Sequence, residues 1–106
     1  MIGEISAQEL KARRDRGENP LVLDVREDWE LQLARIPGVV HVPMNQVPAR
    51  LAELSPDTET IVMCHAGGRF LRVAHFLANQ GFTKVYNLSG GITAWSELVD
   101  ATVPRY

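Results

Sequence analysis

The sequence holds a single cysteine, Cys64, which excludes an internal disulfide and any paired-thiol redox motif. It has no uninterrupted apolar stretch of the roughly eighteen residues that a membrane-spanning helix needs. Its opening, MIGEISAQEL, has no basic segment ahead of an apolar run. The expected location is therefore cytoplasmic, a reducing setting in which a lone thiol stays usable. A dominant charge is lacking too: the net charge of −2 supplies no basic field, so neither nucleic acid nor an anionic membrane is expected as partner. Repeats, low-complexity tracts and long linkers are absent. What remains is a chain of 106 residues, 45% hydrophobic, enough for one compact core and too short for two ordinary domains. One domain is expected over residues 1–106, with its core at about 5–98 and a loose tail at 102–106.

Helical and strand patterns alternate along the chain. Ser6 and Glu9 make a capping box for a helix from residue 7 to about residue 16, closed by Gly17, with Leu10, Ala7 and the stem of Arg14 facing inward. Leu21, Val22 and Leu23 read as a buried strand whose carboxyl end delivers Asp24, Val25, Arg26 and Glu27 to a loop. A short helix at 29–34, a turn at Ile36-Pro37-Gly38 and a strand at 39–42 follow. Asn45 can cap a helix carrying Val47, Leu51 and Leu54, ending before Pro56. Ile61, Val62 and Met63 form a third buried strand. Beyond it Phe70, Val73, Ala74 and Leu77 share one helical face, opposite Arg72, His75 and Asn79, until Gly81. A strand at 84–88, a turn at Ser89-Gly90-Gly91 and a helix at 92–98 close the pattern. The fold class is α/β, a mainly parallel sheet of about five strands with helices on both faces.

Ligands of an open parallel sheet bind at the carboxyl ends of its strands, and Cys64 is the first residue past such an end. An isolated cysteine there is either a small buried hydrophobe or a reactive thiol. The residues that follow decide for the second. Gly67 and Gly68 let the backbone curl so that several N–H groups converge, and a helix starts immediately afterward. Converging amides and a helix N-terminus favour the thiolate, and the same cradle suits the outer sulfur of a persulfide. Arg69 adds a positive charge able to pair a sulfur oxyanion through two N–H groups. The reading requires inward-pointing amides and a sulfur that a small donor can reach.

The surroundings resemble the rhodanese family over about residues 5 to 95. Cys64-His65-Ala66-Gly67-Gly68-Arg69 is similar to its six-residue active-site loop, followed by Ala74, Leu77, Gly81 and Phe82 in the matching helix and turn. Leu23-Asp24-Val25-Arg26-Glu27, Trp29-Glu30 and Ile36-Pro37-Gly38 resemble its first half; Val85-Tyr86-Asn87-Leu88-Ser89-Gly90-Gly91-Ile92 and Ala94-Trp95 resemble its end. The resemblance implies a rhodanese-like fold and a thiosulfate sulfurtransferase with Cys64 as its persulfide-bearing catalytic residue. Thiosulfate or another sulfane-sulfur compound is the implied donor, and cyanide or a thiol, a protein thiol included, the implied acceptor. His65, Ala66, Gly67, Gly68 and Arg69 are the expected substrate-binding residues. Asp24 and Arg26 are structural residues near the site, Arg26 able to pair with Glu30. No metal or organic cofactor is implied. One departure stands out: where the family often has a serine or threonine after the loop arginine, this chain has Phe70.

The alternative in another class is a rhodanese-like module that docks on a partner and relays sulfur or only binds. Phosphatases and arsenate reductases of related architecture separate cysteine and arginine by five residues to cradle a larger oxyanion, and four stand here. His41 and His75 have no metal-ligand spacing with Cys64 and His65. Arg13, Arg14 and Arg16, interleaved with Asp15 and Glu18, read as a solvated helix face, and Trp29 and Trp95 as core or rim aromatics. A domain this small is expected to be a monomer.

Overall fold

A computed structural model describes residues 2–66 and 69–106, apart from the side chains of Arg69 and Phe70. Five strands, β1 (Ile2–Ile5), β2 (Leu21–Asp24), β3 (Val40–His41), β4 (Thr60–Met63) and β5 (Val85–Leu88), alternate with four helices. The helices are α1 (Ala7–Asp15), α2 (Asp28–Leu33), α3 (Arg69–Asn79) and α4 (Gly91–Leu98). The strands form one sheet in the order β1-β5-β4-β2-β3, and every pairing in it is parallel. The strand pattern that implied a parallel sheet holds, and the sheet is wholly parallel rather than mainly so.

The elements arise from local signals. Ser6 Oγ accepts from the Glu9 amide at 3.0 Å while Glu9 Oε1 accepts from the Ser6 amide at 3.4 Å, the reciprocal pair expected for α1. Gly81, at φ +92°, ends the turn after α3, and the Phe82 amide donates back to the Leu77 carbonyl at 3.1 Å.

Side chains alternate across the sheet and so feed two cores. Ile5, Val22, Ile61, Met63 and Leu88 meet Ala7 and Leu10 of α1 and Ile92 and Trp95 of α4. Leu23, Val62, Val85 and Cys64 meet Val73, Ala74 and Leu77 of α3, with Val42, Val47 and Leu54 beside them. Both faces are buried, which is why Leu21, Val22 and Leu23 of β2 and Ile61, Val62 and Met63 of β4 form apolar runs rather than alternating.

Two expectations are corrected and one strand is added. The helix after Asn45 is instead two short 3₁₀ turns, Met44–Gln46 and Leu51–Glu53. Pro48 stands three residues after Asn45, where it has no N–H for the Asn45 side chain to cap, although Val47 and Leu54 are buried as the pattern implied. The strand β1 was not read from the sequence; it pairs with β5, and the absent side chain of Gly3 leaves room for the Tyr86 ring. Residues 102–106 are not loose: Val103 is buried, its carbonyl accepts from Ser96 Oγ at 2.6 Å, and Tyr106 is tied to Arg26 just past β2. Among the described residues no helix is long and apolar enough to cross a membrane.

Candidate active site

β2 and β4 are neighbours, yet the chain leaving β2 goes outward to β3 and the chain leaving β4 goes the other way, to β5. Where two connections part in this manner, the crevice at the carboxyl ends of the strands is the ligand site of an open parallel sheet. Cys64 follows β4, and Asp24 closes β2 with Arg26 two residues on, so the topology delivers the candidate residues to the same end of adjacent strands.

Cys64 continues the alternation of β4 and joins the α3-side core; it is 0% exposed. The sulfur that the sequence reading requires to be reachable is thus covered by protein. Its backbone is held by α4: the Ile92 amide donates to the Cys64 carbonyl at 2.9 Å, and the Thr93 amide and Oγ1 donate to the His65 carbonyl at 3.0 and 3.1 Å. These are amides of the first turn of α4, which have no partner within their own helix. Gly91 permits the approach. At φ +59° it takes a left-handed conformation, and a Cβ there would run into the Cys64 carbonyl and lie 2.5 Å from the His65 oxygen.

His65 is half-buried and its ring stacks on Tyr106, with centroids 4.0 Å apart and planes 4° from parallel; Ala66 is exposed. Arg69 opens α3. Gly67 and Gly68 lie outside the described residues, as do the side chains of Arg69 and Phe70, and with them the expected amide cradle.

Asp24 and Arg26 are both 0% exposed and form a two-pronged pair: Arg26 Nε donates to Oδ1 at 3.0 Å and Nη2 to Oδ2 at 2.7 Å. Burial alone pulls the Arg26 guanidinium down, but hydrogen bonds to Asp24 and Tyr106 outweigh it and hold its pKa above the ordinary value. The expected link from Arg26 to Glu30 runs through a third residue. Arg26 Nη1 donates to the Tyr106 hydroxyl at 2.9 Å, and that hydroxyl donates to Glu30 Oε1 at 2.9 Å. Glu30 Oε2 accepts from the Glu27 amide at 2.8 Å and so caps the start of α2. His41 Nε2 donates to the Arg26 carbonyl at 2.7 Å.

Sequence reasoning missed Tyr106 and Thr93. Nothing near Tyr106 in the chain marks it, whereas the second glycine of Gly90-Gly91 was a usable sign of a close backbone approach at the start of α4. Trp95 is buried, as a core aromatic; Trp29 is 60% exposed on α2 and meets the Tyr106 ring edge-on. Among the described residues no three His, Cys, Asp or Glu side chains gather in a metal-holding cluster.

This geometry has relatives. The rhodanese-like domain model matches residues 6–98. The chain belongs to the rhodanese-like family. A sulfurtransferase of Allochromatium vinosum is 33% identical over 91% of this chain and 90% of its own length. The putative sulfur carrier protein YrkF of Bacillus subtilis is 41% identical over 90% of this chain and 51% of its own. Two curated relatives that are 42% and 41% identical extend well beyond the match: the chain spans 38% and 51% of their lengths. Among solved structures, a rhodanese-like domain protein of Staphylococcus aureus superposes with a TM-score of 0.85 at 26% identity, covering 98% of both chains.

Proposed function

We propose that this rhodanese-like chain is a sulfurtransferase carrying sulfane sulfur on Cys64. In the donor half-reaction the Cys64 thiolate attacks the outer sulfur of thiosulfate; a new S–S bond forms, the old one breaks, and sulfite leaves with the electron pair. In the acceptor half-reaction cyanide or a thiolate takes the outer sulfur and the Cys64 thiolate is regenerated. Arg69 pairs the sulfonate end of the donor, and the amides of residues 65 to 69 receive the persulfide anion.

The observation that carries this reading is the position of the sole cysteine. It follows β4 at the point where the connections part, at the head of the five residues that lead to α3, in a family whose relatives include named sulfurtransferases. A reducing, cytoplasmic compartment suits that chemistry. A second reading, relay of sulfur to a protein partner, is favoured by the relative named as a sulfur carrier.

Incubation with thiosulfate should add the mass of one sulfur atom to the intact chain and none to Cys64→Ser. Iodoacetamide, which needs the same sulfur, should modify the wild type and block loading. A chain that takes neither sulfur nor the alkyl group would defeat the proposal. Faster discharge to a protein thiol than to cyanide or a small thiol selects the relay reading.

A further inference from the structure

Tyr106 has no part in the sulfur chemistry above, yet it joins the loop after β4 to the loop after β2. Its ring lies flat on His65, the residue next to Cys64, with centroids 4.0 Å apart. Trp29 meets that ring edge-on at 6.3 Å and 78°, and the Arg26 guanidinium stands 5.8 Å from its centroid. The hydroxyl accepts from Arg26 and donates to Glu30, each at 2.9 Å, so its donor is used and its direction set at both ends. Arg26 and Glu30 are themselves buried, at 0% and 2% exposure. The ring is therefore held by groups that have little freedom to move.

His65 is fixed at two points. Thr93 holds its carbonyl from the α4 side, and Tyr106 holds its ring. The first anchor restrains the backbone and leaves side-chain rotation open; the second closes that rotation. A stacked aromatic pair is worth about a two- to tenfold bias in population. A bias of that size next to a reacting atom matters, because small misplacements of a nucleophile are costly in rate.

We propose that Tyr106 is a positioning residue for the Cys64 loop, acting through the ring of His65. The proposal rests on sulfur transfer through Cys64, and one of its two readouts is independent of that reading.

The test uses the full chain carrying Tyr106→Leu or Tyr106→Phe, each with His65 intact and with His65→Ala. Circular dichroism and Tm confirm folding, and assays run well below the lowest Tm. The readouts are the rate of Cys64 alkylation by iodoacetamide and steady-state sulfur transfer from thiosulfate to cyanide. With His65 present, Tyr106→Leu should speed alkylation of the covered cysteine about fivefold and lower kcat about fivefold, with KM for thiosulfate moving less than about twofold. Tyr106→Phe, which keeps the ring, should recover most of both effects. In the His65→Ala background Tyr106→Leu should change either quantity less than about twofold. Equal effects in both backgrounds, no effect in either, or faster sulfur transfer in Tyr106→Leu would each overturn the proposal. A wild type that takes no sulfur from thiosulfate defeats the sulfurtransferase reading alone, and the alkylation rates then decide for or against Tyr106.

Discussion

The Cys64 loop is gripped from two sides by different means. On one side α4 holds it by main chain: amides of Ile92 and Thr93 bind the carbonyls of Cys64 and His65. On the other side Tyr106 holds it by side chains: a stacked ring, with a hydroxyl fixed by Arg26 and Glu30. A main-chain grip tolerates most side chains but demands that nothing intrude, so its sensitive point is the residue that must be absent of Cβ. A side-chain grip depends on residue identity throughout, and on the buried charges that support it.

The largest effect is expected from the support of the side-chain grip. Arg26→Leu leaves the Asp24 carboxylate, 0% exposed, without its two-pronged partner and takes the donor from the Tyr106 hydroxyl. Breaking one member of a buried pair costs about 3–5 kcal/mol. Urea unfolding should show a stability lowered by that amount, read as a lower midpoint at an unchanged slope, and Asp24→Asn added to Arg26→Leu should recover part of the loss. A loss below about 1 kcal/mol would mean that the pair does not support the fold.

Next comes the main-chain grip. Gly91→Ala places a methyl against the Cys64 and His65 carbonyls in a left-handed conformation, at a combined cost of about 2–4 kcal/mol. Sulfur loading of Cys64 should slow with it. Thr93→Val keeps the amide bond to His65 and drops only the hydroxyl bond, so its cost should stay near 1 kcal/mol. If the two substitutions cost the same, the grip is not a matter of main-chain approach.

How much of this was legible follows from how far apart in the chain the causes lie. The capping box of α1, the apolar face of α3 and the apolar runs of β2 and β4 are local patterns, and they read correctly. Cys64 announced itself by its position after such a run and by the glycines beyond it. Val47, Leu51 and Leu54 kept a helical period through a segment where Pro48 denies Asn45 the third-residue amide that a cap would bind, so burial was legible and backbone form was not. The strand β1 is stabilised by β5, and the Tyr106 hydroxyl bonds Arg26 and Glu30 from the far end of the sequence. No local pattern encodes such pairings. The same holds for Asp24 and Arg26: their structural role was implied by resemblance, while the hydroxyl joining Arg26 to Glu30 belongs to a residue expected to be loose.

The smallest effect sharpens the comparison by loosening one grip and leaving the other. Burial raises the Tyr106 phenol, the hydrogen bond from Arg26 opposes that, and the bond to Glu30 adds to it; the net pKa lies above the ordinary value. A group whose folded pKa is raised contributes stability fully below its unfolded value, about 10 for tyrosine, and loses it as pH climbs through the folded value. Titrations that wild type and Tyr106→Phe share cancel in the difference, which isolates the Tyr106 hydroxyl. The stability advantage of wild type over Tyr106→Phe, read from urea midpoints, should thus be constant up to about pH 9 and shrink by about pH 11. A gap that stays constant across that range would show that folding does not raise the phenol's pKa, and no gap at any pH would show that the ring alone does the holding.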